Sequence, residues 1–170
     1  DMGGMINKAA YLFAVANIAS ADPASWKVMA AVMAAGMVPP LATSLAVMLR
    51  PKLFSSAERQ NGKAGWVLGA AFISEGVIPF AAADPLRVIP SIVIGGAVTG
   101  GTSMALGAAT RVPHGGIFVL FAIDNPVAWL TAIVLGSIVA AILVVAAKSL
   151  WPRQVSTDNQ NLEADVSAEA

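Results

Sequence analysis

Three stretches of this 170-residue chain run for 22 or 23 residues without a charged side chain: Val28 to Leu49, Val88 to Thr110 and Asn125 to Ala147. About 18 consecutive apolar residues are enough to carry a helix across the hydrocarbon core of a bilayer. Inside that core each backbone N–H and C=O must be paired within the protein, which leaves helices as the form such runs take. The fold class is therefore all-α, a polytopic membrane protein. Charged residues make up 12% of the chain, against roughly 25% in an ordinary soluble domain, and mean hydropathy is +0.74.

The few charges are clustered. Arg50, Lys52, Arg59 and Lys63 share a short loop with one acid, Glu58, and the positive-inside rule puts that loop in the cytoplasm. Lys148 and Arg153, after the last run, favour the same side. An even number of full crossings must separate the two basic regions, and Val88 to Thr110 with Asn125 to Ala147 supply two. The pieces between are then re-entrant or interfacial: Ala64 to Ala83, interrupted by Glu75 and Pro79, and Val112 to Ile123, which begins Pro113-His114-Gly115-Gly116. The alternative makes Ala64 to Ala83 a full span with a buried Glu75.

At the N-terminal end the uncharged run Ala9 to Ala21 is short, and crosses only if Lys8 snorkels to an interface. Asp22-Pro23 ends it. Pro39-Pro40 in the middle of the next run predicts a kinked or broken helix there. Gly95-Gly96, Gly100-Gly101 and Gly107 read as small residues that let helices approach closely. Residues 152–170 are polar, without apolar period, and read as a disordered cytoplasmic tail or linker. Asp1 stands where an initiator Met is expected, so the chain reads as a fragment.

Lysine plus arginine and aspartate plus glutamate number 10 each, which gives no basic surface for nucleic acid. Cysteine is absent, which excludes disulfides, thiolate metal sites and a phosphocysteine within this chain. No signature of a soluble enzyme, such as a phosphate-binding Gly-Lys-Ser loop or a Gly-x-Ser-x-Gly elbow, is present. Chemistry must come from polar groups in apolar surroundings. Glu75, flanked by Gly76 and Pro79, is the first candidate, because an ionisable group in a membrane segment is costly and faces a cavity or a partner. Its structural alternative is an ion pair with Arg87 or Arg111. Asp84 to Arg87 fits a local turn, with Asp84 capping the next helix, as well as it fits a binding site. His114 is the sole histidine; with no second ligand nearby it suits a polar contact to substrate, or a cap, rather than a metal. No metal or cofactor is expected. Asn7 and Lys8, in the Gly3-Gly4 context, suit hydroxyls or a phosphate, though a Lys at a span end also serves as an interface anchor.

ISEGVIPFAAADPLRVIPS at 73–91, RVPHGGIFVLFAIDN at 111–125, NGKAGW at 61–66, and DMGG with NKAA at 1–10 together resemble the fructose-specific IIC permease domain of the bacterial sugar phosphotransferase system, over about residues 1–150. Met5 stands where that family usually has Pro. The N-terminal half of a IIC domain is missing, as is the IIB domain that carries the phosphorylated cysteine. The resemblance implies a partial permease domain over 1–151, in the bacterial inner membrane and homodimeric. As part of a full complex it would act as a protein-phosphocysteine:D-fructose phosphotransferase, binding fructose within the membrane and presenting it to phosphorylated IIB, with fructose 1-phosphate released inside. Glu75 would bind sugar hydroxyls and help deprotonate the accepting one; His114, Asn7, Lys8 and Arg87 would make further substrate contacts. Two other readings stand beside it: a secondary sugar transporter in which Glu75 carries a coupling proton, and an inactive permease fragment.

Overall fold

The computed structural model describes residues 2–19 and 22–151; the tail expected at 152–170 lies outside them. Six helices account for most of it: α1 (Met5–Ile18), α2 (Pro23–Leu49), α3 (Ser56–Ala70), α4 (Ile78–Ala83), α5 (Pro85–Ala105) and α6 (Pro126–Leu150). Three of them, α2, α5 and α6, are long and apolar enough to cross a membrane, as the uncharged runs predict.

Asp22-Pro23 closes one helix and opens the next. The Asp22 carboxylate accepts the Ala24 N–H at 3.0 Å and Pro23 occupies the first turn, where its missing donor costs nothing. Helix α2 therefore begins five residues before the expected start at Val28. It is not broken at Pro39-Pro40, since the helical assignment runs unbroken to Leu49. Thr43 Oγ1 donates to the carbonyls of Pro39 and Pro40 and Ser44 Oγ to that of Pro40, at 2.7–3.2 Å. Pro40 and Ser44 pack against α3 and Thr43 is buried, so the turn that lacks the two proline donors faces protein, as backbone polarity requires.

Residues 56–84 make a hairpin that enters and returns. A capping box starts α3, with Ser55 Oγ accepting the Glu58 N–H and the Glu58 carboxylate accepting the Ser55 N–H. Fifteen helical residues rise about 22 Å, short of a bilayer core of about 30 Å. The chain reverses at residues 71–73, passes a 3₁₀ turn at Ser74–Val77, and comes back through α4. Buried ion pairs hold both ends of this hairpin beside the end of α6: Lys148 Nζ lies 3.1 Å from Glu58 Oε1 and 3.7 Å from Asp84 Oδ2. The full-span alternative for Ala64 to Ala83, with a buried Glu75, is thereby corrected; Glu75 is exposed in a break between helices. The capping role expected of Asp84 is also replaced, because its side chain caps nothing and pairs with Lys148 and Arg87.

A second re-entrant segment comes from the opposite end. Strands β1 (Ala109–Thr110) and β2 (Ile123–Asp124) pair antiparallel, Ala109 opposite Asp124, and between them the chain dips inward and returns through a 3₁₀ helix at Gly116–Ala122. Since α5 and α6 each run from one end of the molecule to the other, the two hairpins point toward each other. Their tips touch at Gly116, where an added Cβ would collide with the Ala70 carbonyl oxygen and stand 2.9 Å from the Phe72 nitrogen. Gly116 also sits at φ 55°, so backbone conformation and space both require glycine there.

Along α5 the glycines divide. Gly95 meets α6, where a Cβ would lie 2.7 Å from the Gly136 carbonyl oxygen, but Gly96, Gly100, Gly101 and Gly107 have nothing within 4 Å. The packing expected of all five is thus confined to Gly95, whose partner Gly136 was not singled out. Gly95→Leu is expected to destabilise the fold by about 1–3 kcal/mol, as overpacking typically does, and so to lower the thermal midpoint in detergent. Gly100→Leu is expected to leave it unchanged; equal effects would contradict this contact.

Candidate functional site

The start of α1 and both hairpin tips enclose a cavity of about 510 Å³. Gly3, Asn7, Lys8 and Tyr11 line it from α1, Phe72 to Glu75 from the first tip, and His114 from the second. Four of the five residues singled out in the sequence therefore meet in one place, drawn from positions more than a hundred residues apart. Glu75, His114 and Lys8 are exposed to this cavity, which is open on one side.

Arg87 is elsewhere. Its Nε lies 3.4 Å from Asp84 Oδ2, within the ion cluster around Lys148. Arg111 is not beside Glu75 either; its guanidinium stacks on Trp26, 3.7 Å from the ring centroid. Neither arginine supplies the ion pair that would make Glu75 structural, and Glu75 has no salt bridge among the described residues.

Local geometry presents each group. Gly3, at φ 90°, brings bare backbone against Glu75, and a Cβ there would stand 2.8 Å from Oε1. Helix α1 begins just after it with no side-chain cap, so the positive end of its dipole lies beside the carboxylate. His114 projects from a turn in which Gly115 and Gly116 both have positive φ.

Sequence reasoning missed the aromatic wall. Phe72 N–H donates to Gly69 and Ile73 N–H to Leu68, at 3.1 and 2.8 Å. That is a Schellman ending with Phe72 at the left-handed position, φ 64°, usually taken by glycine. The same motif ends α5 with Gly107 in that place. A phenylalanine there costs on the order of 1 kcal/mol and is held by its ring, which packs on Gly36, 5.1 Å from the His114 ring and 6.4 Å from that of Tyr11. No sequence pattern announces a non-glycine residue in that conformation. Strain of this kind is common where function fixes a side chain.

The cavity thus offers one carboxylate, one imidazole, one ammonium, the Asn7 amide, the Ser74 and Tyr11 hydroxyls and aromatic faces. Donors and acceptors interleaved with rings suit a compact polyhydroxylated ligand. Among the described residues no cluster of metal-ligating side chains occurs.

Over 145 residues the chain is 52% identical to the "PTS system fructose-specific EIIB'BC component" of Escherichia coli (strain K12), a match covering 84% of the chain and 25% of that protein. The chain belongs to the fructose-specific IIC permease family. It is likewise 50% identical over 161 residues to the "PTS system fructose-specific EIIC component" of Haloferax volcanii, covering 95% of the chain and 42% of that protein. With the "Fructose permease IIC component" of Bacillus amyloliquefaciens it shares 47% identity over 144 residues, 85% of the chain and 46% of the relative. The chain spans between a quarter and just under half the length of these relatives and corresponds to the C-terminal part of the family's proteins. No family model and no solved structure matches it.

Proposed function

We propose that this chain is the part of a phosphotransferase-system permease that holds fructose while it receives a phosphoryl group. The convergence of Glu75, His114, Lys8 and Asn7 in one cavity, at the meeting of two re-entrant tips, supports this reading. The complete protein would lie in a bacterial inner membrane as a homodimer with its basic end in the cytoplasm, where the IIB domain, phosphorylated on cysteine, would approach.

In this reading Glu75 accepts hydrogen bonds from adjacent sugar hydroxyls. As the chosen hydroxyl oxygen attacks phosphorus, an O–P bond forms and the S–P bond of phosphocysteine breaks. The hydroxyl proton passes to Glu75, acting as general base, and the thiolate leaves with IIB. Lys8 offsets charge on the incoming phosphoryl group, and His114 orients the sugar against the Phe72 and Tyr11 rings. Phosphoryl transfer asks mainly for positioning and charge compensation, which such an arrangement supplies. The product, fructose 1-phosphate, leaves on the cytoplasmic side. A proton-coupled transporter would need no phosphoryl donor, and the relatives' phosphotransferase names do not favour it.

In full-length protein His114→Ala and Lys8→Ala are each expected to lower fructose uptake about tenfold, the ~1.4 kcal/mol of one hydrogen bond lost to the ligand. Radiolabelled uptake in cells lacking other fructose routes measures this. A loss equal to that of a Glu75 variant would reverse the ranking of these residues. Arg87→Ala, by its placement, should affect stability before sugar affinity.

A further inference from the structure

The basic loop leaves one face that neither the sugar site nor the ion cluster uses. Arg59, Lys63 and Trp66 are spaced four and three residues apart on α3, which puts them on one side of that helix. With Val47 and Met48 from the end of α2 and Pro51 from the turn after it they line a cleft of about 350 Å³. Glu58, the one acid of residues 50–63, is turned away and buried, one carboxylate oxygen on Lys148 and the other on the Ser55 N–H. Arg59 and Lys63 are exposed and have no ion-pair partner among the described residues.

Polarity changes in order along this face. Arg59 and Lys63 come first on the way in from the basic end, then Trp66, 40% exposed, then Val67, 69% exposed. Met48 and Leu49, at the end of α2 and so at the depth of Arg59 and Lys63, are exposed beside the cations. Cations, then an indole, then aliphatic surface is the succession in which headgroup, interface and hydrocarbon follow one another in a bilayer. A free phosphate would meet the cations and leave the apolar cleft empty; an acidic protein surface would leave Val67 and Met48 uncovered. We propose that the cleft binds an anionic phospholipid from the leaflet at the basic end. Its phosphate would lie between the Arg59 guanidinium, whose planar fork suits two phosphate oxygens, and the Lys63 ammonium. Its glycerol would lie against Met48 and Val47, and its upper acyl chain against Trp66. This proposal stands apart from the sugar site.

The test uses full-length protein extracted in detergent, delipidated and titrated with phosphatidylglycerol or phosphatidylcholine, with bound lipid counted by native mass spectrometry. Wild type should bind at least one phosphatidylglycerol about tenfold more tightly than phosphatidylcholine. The double variant R59Q/K63Q should lose that preference while keeping its thermal midpoint and its fructose binding, and Glu75→Ala should retain the preference. Millimolar inorganic phosphate should not displace the lipid. Equal affinity for the two lipids, a preference that survives in R59Q/K63Q, or displacement by inorganic phosphate would each overturn the proposal. So would a double variant that keeps the lipid preference and loses only phosphorylation by the IIB domain, since the two cations would then serve the phosphoryl donor.

Discussion

Glu75→Ala in the full-length protein is expected to abolish fructose uptake and phosphorylation, a loss of about 10³-fold or more, with membrane insertion intact. A general base alone contributes about 10²–10⁴-fold, and the same carboxylate is assigned the sugar hydroxyls. Insertion should survive because Glu75 is exposed in the break between α3 and α4 and makes no ion pair among the described residues. Glu75→Gln separates the two roles. The amide can still hydrogen bond but cannot take a proton, so fructose binding should fall by no more than about tenfold while phosphoryl transfer is lost. Uptake and phosphorylation assays with phosphorylated IIB, beside equilibrium binding of labelled sugar, would measure both. Retained phosphorylation in Glu75→Gln would remove the general base, and retained uptake in Glu75→Ala would remove the site.

Lys148→Met should damage the fold rather than the chemistry. Lys148 is 8% exposed and holds Glu58 at 3.1 Å and Asp84 at 3.7 Å. Asp84 would keep Arg87, but Glu58 would be left as a buried carboxylate with no cation. Breaking a buried pair from one side costs about 3–5 kcal/mol, a large part of the 5–15 kcal/mol that holds an ordinary domain folded. The variant should accumulate poorly and melt well below wild type in detergent. Adding Glu58→Gln should restore part of the loss, since the uncompensated charge disappears while an amide can still accept the Ser55 N–H. A single variant that melts like wild type would mean that the cluster does not pin the hairpin ends.

The long uncharged runs announce α2, α5 and α6 because the bilayer requires length and apolarity together, and both can be counted. The short pieces interrupted by Glu75 and Pro79 and by the Pro113–Gly116 run announce two segments that turn back within the fold instead of running its length. What pairs with what was harder to read. Arg87 has the sequence context of a site residue, but its partner Asp84 is three positions away and also pairs with Lys148, which only the return of the first hairpin brings near. Convergence of Glu75, His114, Asn7 and Lys8 was legible as four separate polar exceptions rather than as one cavity. Phe72 was invisible, since its part depends on a backbone conformation that its residue type disfavours. Of the α5 glycines, only a partner's surface could reveal which one packs, and Gly136 was hidden in the most apolar helix of the chain.

The contact between the two tips ties the cavity to the thickness of the membrane. Glu75 and Phe72 reach it on a segment anchored at the basic end, by Glu58 and Asp84 on Lys148, whereas His114 reaches it on a segment anchored at the other end by the β1–β2 pairing. The distance between those anchors is set by α5 and α6, and helices answer a thicker or thinner bilayer by changing tilt. A change in lipid chain length is therefore expected to move the carboxylate and the imidazole relative to each other.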